Sequence, residues 1–189
     1  MMSKELLNSL YFDKDADLSL IQDKTVAIIG YGNQGRAQAL NLRDSGVKVI
    51  VGAREGGSSE QQAKEDGFNV LSVQEAVKDT DIIAILLPDQ VMSKAYDESI
   101  VQNLSAGQTL QFAHGYNIHY GKIVPPKDID VMMVAPSGAG KMVRQEFEKG
   151  SGVPNLIAIH QDYSGAAFDM ALSYSKAIGG TRSAAFKST

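Results

Sequence analysis

The chain has 189 residues, enough for one sizeable domain or one domain with a tail, and its 43% hydrophobic content suffices for a buried core. A net charge of -4, with Lys and Arg scattered and no basic run interleaved with aromatics, excludes the electrostatic footprint of a nucleic-acid binder. There is no cysteine, hence no disulfide, thiolate nucleophile or Cys-based metal site, a composition that suits the cytoplasm. The N-terminus carries Glu5 and no long apolar core, so it does not read as a signal peptide. No apolar run nears the ~20 residues of a membrane helix. The expectation is a soluble, cytoplasmic protein without internal repeats.

Residues 1–22 mix acids and lysines with Tyr11, Phe12, Leu18 and Ile21, and read as an arm draped over the sheet. Thr25 to Ile29 is a short apolar strand that stops at Gly30. The spacing Gly30-x-Gly32-x-x-Gly35 comes next and opens a helix from about Asn33 to Ser45, ended by Gly46. The three glycines do different things. Gly30 permits the tight turn, Gly32 lets backbone approach a pyrophosphate, and Gly35 allows close packing of the helix. The spacing alone is weak; following a strand, opening a helix and leading to a second strand, it reads as a dinucleotide-binding turn.

That second strand, 47–51, runs into Gly52-Ala-Arg54-Glu-Gly-Gly-Ser58-Ser59-Glu60 at the edge where the adenosine ribose of a dinucleotide lies. An acid in this place accepts from the 2′-OH of NAD, whereas Arg accommodates a 2′-phosphate. Arg54 comes first, and its planar fork suits phosphate oxygens, with Ser58 and Ser59 as hydroxyl donors. NADPH is therefore favoured over NADH. Glu55 and Glu60 count against this, and a solvated Gly/Ser turn is the bland alternative.

A helix (about 59–66), a short strand (69–71) and a helix opened by Ser72 (73–78) lead to Asp81-Ile-Ile-Ala-Ile-Leu-Leu87. This run is apolar throughout after its first residue, as expected of a parallel strand covered on both faces. Leu87, Pro88, Asp89 and Gln90 fall at the same sheet edge as the glycine turn and can touch the cofactor, although Pro-Asp is also ordinary helix-start chemistry. The strand 109–113 delivers His114 to that edge, where it can hydrogen-bond a substrate oxygen or relay a proton; a structural histidine fits the pattern nearly as well. His119 and His160 read as structural. After Pro125-Pro126 comes a strand at 130–135. Pro136-Ser-Gly-Ala-Gly140-Lys141 is too short for a phosphate loop of the G-x-x-x-x-G-K-[ST] kind. A last strand at 155–159 precedes a helix capped by Asp162 or Ser164, with Ala167, Phe168, Ala171, Tyr174 and Ile178 on one stripe, stopped by Gly179-Gly180. The pattern predicts an α/β, Rossmann-type, doubly wound and mostly parallel sheet with helices on both faces.

Taken together, Gly30-Tyr-Gly-Asn-Gln-Gly35, Leu86-Leu-Pro-Asp-Gln90, Phe112-Ala-His-Gly-Tyr-Asn-Ile-His119, Val134-Ala-Pro136 and Ile178-Gly-Gly-Thr-Arg182 resemble the N-terminal domain of ketol-acid reductoisomerases over about residues 10–182. The resemblance implies a Mg²⁺-assisted alkyl shift in 2-acetolactate or 2-aceto-2-hydroxybutyrate, then reduction by NADPH, in valine, leucine and isoleucine synthesis. It implies that Tyr31, Gly32, Asn33 and Gln34, with Gly30 and Gly35, form the pyrophosphate turn. Arg54 and Ser59, beside Ser58, match the 2′-phosphate positions. Asp89, Gln90, Val91, Met92 and Gly140 match further cofactor contacts, and His114 matches the active-site histidine.

The chain departs from the family at Arg36, where His is usual. It reads Ser137-Gly-Ala-Gly-Lys141 where Lys-Gly-Pro-Gly-His is usual, and Gly57 where many members carry serine. The family's magnesium carboxylates come from a helical domain that begins about where this sequence stops, and no Asp/Glu cluster here replaces them; Asp162 and Asp169 read as a cap and a helix-face charge. The expected layout is an arm (1–22), a dinucleotide-binding domain (23–182) and the start of a linker (183–189) to a missing helical domain. Its partners would be a small 2-hydroxy-2-methyl-3-keto acid, that domain, and copies of itself in a full-length homo-oligomer. Exposed Ala184, Ala185 and Phe186 are candidates for self-association. Such a chain would bind NADPH without turning over substrate alone. The alternatives are a non-catalytic NADPH-binding or regulatory module and another Rossmann-type reductase.

Overall fold

Val26, Ala27, Ile28 and Ile29 are all fully buried although successive strand side chains point to opposite faces, so this strand is dry on both sides. The computed structural model of the chain describes residues 9–188. Among these the strands are β1 (Leu10–Tyr11), β2 (Thr25–Ile29), β3 (Lys48–Gly52), β4 (Asn69–Leu71), β5 (Ile82–Ile85), β6 (Thr109–Phe112), β7 (Asp130–Pro136), β8 (Asn155–Gln161) and β9 (Ala185–Lys187). They form one sheet in the order β1-β9-β8-β7-β6-β5-β2-β3-β4. The six strands from β4 to β7 are parallel, and the order reverses between β2 and β5. A reversal of this kind leaves a crevice at the carboxyl ends of the two strands, where ligands bind in open α/β sheets.

The helices are α1 (Ser19–Gln22), α2 (Asn33–Asp44), α3 (Ser58–Glu65), α4 (Val73–Lys78), α5 (Asp89–Ala95), α6 (Tyr116–His119), α7 (Gly140–Glu148) and α8 (Ala167–Ala177). One face of the sheet packs Val26, Ile28, Val51, Met132 and Ile157 against Ala39 and Leu42 of α2 and Ala171 and Tyr174 of α8. The other packs Ala27, Ile29, Ile83 and Ile85 against Ala76 and Val77 of α4, Met92 of α5, and Tyr96 and Ile100 beyond it. Ser72 opens α4 with a full capping box: its hydroxyl accepts from the Glu75 N–H, and the Glu75 carboxylate accepts from the Ser72 N–H.

Four expectations need correction. Residues 1–8 of the expected arm lie outside the described residues, but Leu10–Tyr11 do not drape over the sheet: they join its edge, pairing antiparallel with Phe186 and Ala185. The expected linker is likewise a strand, β9, inserted between β8 and β1, with Thr189 outside the described residues. Ala184 and Ala185 are consequently buried, which removes the basis for reading them as an association patch. β8 extends to Gln161 and runs antiparallel to β7. The cause is local: the excursion after β7 goes out through α7 and returns to the same end of the sheet, where the Ser137 N–H donates to the Pro154 carbonyl at 2.8 Å. A crossover to the opposite end would have given a parallel strand.

Asp130, at the start of β7, is buried and accepts from the N–H groups of Tyr163 and Ser164 at 2.7 and 3.0 Å and from the Ser164 hydroxyl at 2.7 Å. It fixes the loop that leads into α8. Asp130→Ala strands these donors and is expected to cost roughly 2–3 kcal/mol in chemical denaturation, with the fold retained.

Candidate functional site

The glycine turn sits at the switch point. Gly30 has φ +96°, a conformation that favours glycine. A β-carbon on Gly35 would collide with the Gly30 carbonyl, so the last glycine of the motif lets α2 begin directly against the turn. At Gly32 a β-carbon would meet nothing within 4 Å, leaving open space beside the first N–H groups of α2. Gly140 performs a third close approach: a β-carbon there would strike the Asn33 carbonyl, so α7 starts in contact with the start of α2.

A cleft of about 690 Å³ runs from the turn across the ends of β2, β3 and β5. It brings together Gly30, Tyr31, Arg54, Ser58, Ser59, Leu87 and Val91. Gly57 is the N-cap of α3, so Ser58 and Ser59 present the free N–H groups of a helix start as well as their hydroxyls. Among the described residues the Arg54 guanidinium makes no hydrogen bond or ion pair, and it is exposed at the rim. Glu60 turns away: it accepts from the Gly56 N–H and from Lys64, both at 2.6 Å, and its carboxyl is held low first by Lys64 and then by that N–H. Glu55 remains on the cleft wall. A serine at 57 would place its β-carbon 3.0 Å from the Arg54 carbonyl, so glycine allows a tighter loop here.

Gly32, Asn33 and Gly140 line a shallower hollow on the other side of Tyr31, together with Arg36 and Lys141. Pro88 is the N-cap of α5. Beyond it the helical period puts Val91, Lys94 and Ala95 on the cleft side. Met92 does not reach the cleft: it is buried in the core, and Gln90 is exposed away from the lining.

His114 is 69% exposed, and its Nδ1 lies 3.5 Å from Asp89 Oδ2 and 3.3 Å from the Tyr116 N–H. These two contacts need opposite states of that nitrogen, a proton to donate to Asp89 or a lone pair to accept from Tyr116. Asn117, buried and unforeseen, donates from Nδ2 to both the carbonyl and Oδ1 of Asp89 at 3.3 and 3.2 Å. Asp89 is therefore oriented by Asn117 and faces His114. His114 opens onto a groove of about 710 Å³ along β7 and β8, floored by Met133, Ala135, Leu156 and Ala158. His119 and His160 also line it and are exposed, and His119 packs edge-on against Tyr120 at 4.8 Å. No group of three or more His, Asp or Glu is placed to hold a metal among the described residues.

Behind the turn, α2 and its C-cap carry an inward-facing polar stripe that the sequence did not announce: Gln34, Gln38, Asn41 and Ser45, spaced four, three and four apart. Tyr174 donates to Gln38 at 2.8 Å, Gln38 to Gln34 at 3.1 Å, and Gln34 to the Gly138 carbonyl at 2.8 Å. Asn41 donates to the Val143 and Ile178 carbonyls, and Ser45 to that of Ala177. Gln34 thus ties the turn to the loop before α7. On the outer side Arg36 pairs bidentately with Asp66, at 2.7 and 2.9 Å, and the Tyr31 phenol donates to the same carboxylate at 2.9 Å. Burial, then the Asp66 carboxylate, push that phenol up; Arg36 holds the Asp66 carboxyl below its ordinary value.

A family model described as "Acetohydroxy acid isomeroreductase, NADPH-binding domain" matches residues 20–184. The ketol-acid reductoisomerase (NADP(+)) of Renibacterium salmoninarum is 57% identical over 183 residues, 97% of this chain and 54% of its own length. That of Petrotoga mobilis is 52% identical over 179 residues, covering 95% and 54%. A solved NADH-preferring ketol-acid reductoisomerase from an uncultured archean superposes with a TM-score of 0.92 at 43% identity, over 95% of this chain and 56% of the other. The chain spans about half the length of the curated relatives it matches. No helix among the described residues is long and apolar enough to cross a membrane.

Because the Asp66 carboxyl is lowered by folding, its contribution is present above its ordinary value of 3.8 and is lost as pH falls through the lower folded value. The melting-temperature gap between the unsubstituted chain and Asp66→Asn is expected to be widest near neutrality and to narrow as the pH drops below that value, which thermal melts over a pH series would read.

Proposed function

Since the chain belongs to the acetohydroxy acid isomeroreductase (ketol-acid reductoisomerase) family through its NADPH-binding domain, we infer that it forms the cofactor half of an enzyme that converts 2-acetolactate or 2-aceto-2-hydroxybutyrate to the 2,3-dihydroxy acid, in branched-chain amino-acid synthesis in the cytoplasm. The observation that carries this reading is the single cleft joining Gly30 and Tyr31, Arg54 with Ser58 and Ser59, and Leu87 with Val91. The fit to a dinucleotide is good: open space at Gly32, a helix start aimed at the turn, and a guanidinium with no partner among the described residues, with two serines, one strand away.

In this reading the backbone of Tyr31, Gly32, Asn33 and Gln34, with Gly30 and Gly35, cradles the pyrophosphate. Arg54, Ser58 and Ser59 bind the 2′-phosphate. Leu87, Pro88, Asp89 and Val91 border the ribose-nicotinamide side, and Gly140 closes the turn from α7; Met92 supports this wall from the core, and Gln90 faces away from it. A bound nicotinamide supplies the hydride. His114 holds or passes a proton at a substrate oxygen, and Asp89 and Asn117 set its ring. Magnesium, which the family's alkyl shift requires, does not fit the described residues, which offer no carboxylate cluster. Its ligands would come from a helical domain outside this chain, in a homo-oligomeric enzyme, and this chain alone would bind cofactor without turnover.

The related structure that prefers NADH makes cofactor choice a property to be read from each chain's own loop. Fluorescence titration is expected to show NADPH binding at least about tenfold tighter than NADH. Arg54→Ala should weaken NADPH by roughly 10–100-fold and leave NADH nearly unchanged. Equal or tighter NADH binding by the unsubstituted chain would overturn the NADPH assignment.

A further inference from the structure

One side chain that does not line the cleft joins its two anchoring points: it bonds the glycine turn and caps the far end of the helix that carries the serines. Asp66 is the C-cap of α3, the helix whose other end offers Ser58 and Ser59 to the cleft. A carboxylate is unfavourable there on its own, because the carbonyl end of a helix carries partial negative charge. It is held in place by Arg36, which donates from Nε and Nη2 to its two oxygens, and by the Tyr31 phenol. Arg43 adds a donor at 2.6 Å to the Asp66 carbonyl, which neutralises part of the helix end. The same Arg43 guanidinium sits 4.8 Å over the Phe68 ring, which packs edge-on against Tyr31 at 5.8 Å. Tyr31 lies inside the glycine turn, and Arg36 and Arg43 lie on the helix that the turn opens. One carboxylate therefore links the pyrophosphate turn to the helix that carries the ribose-phosphate serines.

We propose that Asp66 is a positioning residue for the dinucleotide: through Tyr31 and Arg36 it keeps the glycine turn and the serine-bearing end of α3 at a fixed separation. This rests on the functional reading above. A ligand with a pyrophosphate and a 2′-phosphate uses both points at once, and gains from a preset spacing; a ligand lacking the 2′-phosphate uses chiefly the turn. Loss of the latch therefore weakens NADPH more than NADH.

The test is parallel titration of the unsubstituted chain, Asp66→Asn, Tyr31→Phe and the double variant with NADPH and NADH, with folding checked by melting. Asp66→Asn should lower NADPH affinity about tenfold and NADH by less, narrowing the preference. Tyr31→Phe keeps the Arg36–Asp66 pair and should act in the same direction by a smaller factor. The double variant should bind no more weakly than Asp66→Asn, since both changes break one network. Ile129→Val, buried on the opposite face of the sheet, should reduce stability and leave both affinities unchanged. Asp66→Asn that melts lower yet binds both nucleotides as before would overturn the proposal and leave Asp66 a stability residue. An equal loss for both nucleotides would overturn it too, by removing the two-point claim. Failure of the unsubstituted chain to bind either nucleotide would overturn the functional reading, and this proposal with it.

Discussion

A β-carbon at Gly35 would run into the Gly30 carbonyl, and one at Gly140 into the Asn33 carbonyl. These two exclusions stack the end of β2, the start of α2 and the start of α7 into one contact with no side chain between them. Everything that faces the cleft is referenced to this stack. The turn is rigid because α2 cannot be moved off it without opening a void, and α2 is tied down in turn by its own polar stripe. A helix face of Gln, Gln, Asn and Ser would ordinarily be wet; here Gln34 and Ser45 each find an acceptor on a neighbouring segment, Asn41 finds two, and Gln38 donates to Gln34 and accepts from Tyr174. The satisfied stripe specifies the register of α2 more narrowly than leucines would, since each amide donor needs an acceptor at a fixed place.

The central strands β2 and β5 were legible because they are dry on both faces and so appear as nearly unbroken apolar runs, as at Ile82–Ile85. The glycine turn was legible because backbone sterics leave few residue types that fit. Strand direction was not: Asn155–Gln161 has the same composition whichever way it pairs, and only the path of α7 decides. β1 and β9 were missed because two or three residues, Leu10–Tyr11 and Ala185–Lys187, carry no measurable period. Within the site, Arg54, Ser58 and Ser59 were legible as close neighbours in sequence, and they line one cleft. Asn117 and Asp66 were not, as each matters through a partner 28 or 30 positions away.

The departures from the family pattern have local consequences that differ in kind. Arg36 is engaged by Asp66, so it serves the frame of the turn. Lys141 is exposed in the hollow beside Asn33, and Ser137 is exposed at the end of β7, where its N–H is used by Pro154. Gly57 shortens the reach between Arg54 and the start of α3. The groove under His114 is different again: the face of β7 and β8 that carries Met133, Ala135, Leu156 and Ala158 is apolar, whereas the opposite face is covered by α8.

The pairing of Leu10 with Phe186 and Tyr11 with Ala185 joins the two extremities of the described chain. During vectorial synthesis the parallel strands can assemble as soon as β7 has emerged, but the N-terminal edge has to wait, unpartnered, until Ala185 and Phe186 have left the ribosome. Nascent chains would thus pass through a stage in which the ligand crevice is built and the far margin of the sheet is still open. The first strand of the described residues is in this way among the last to find its place.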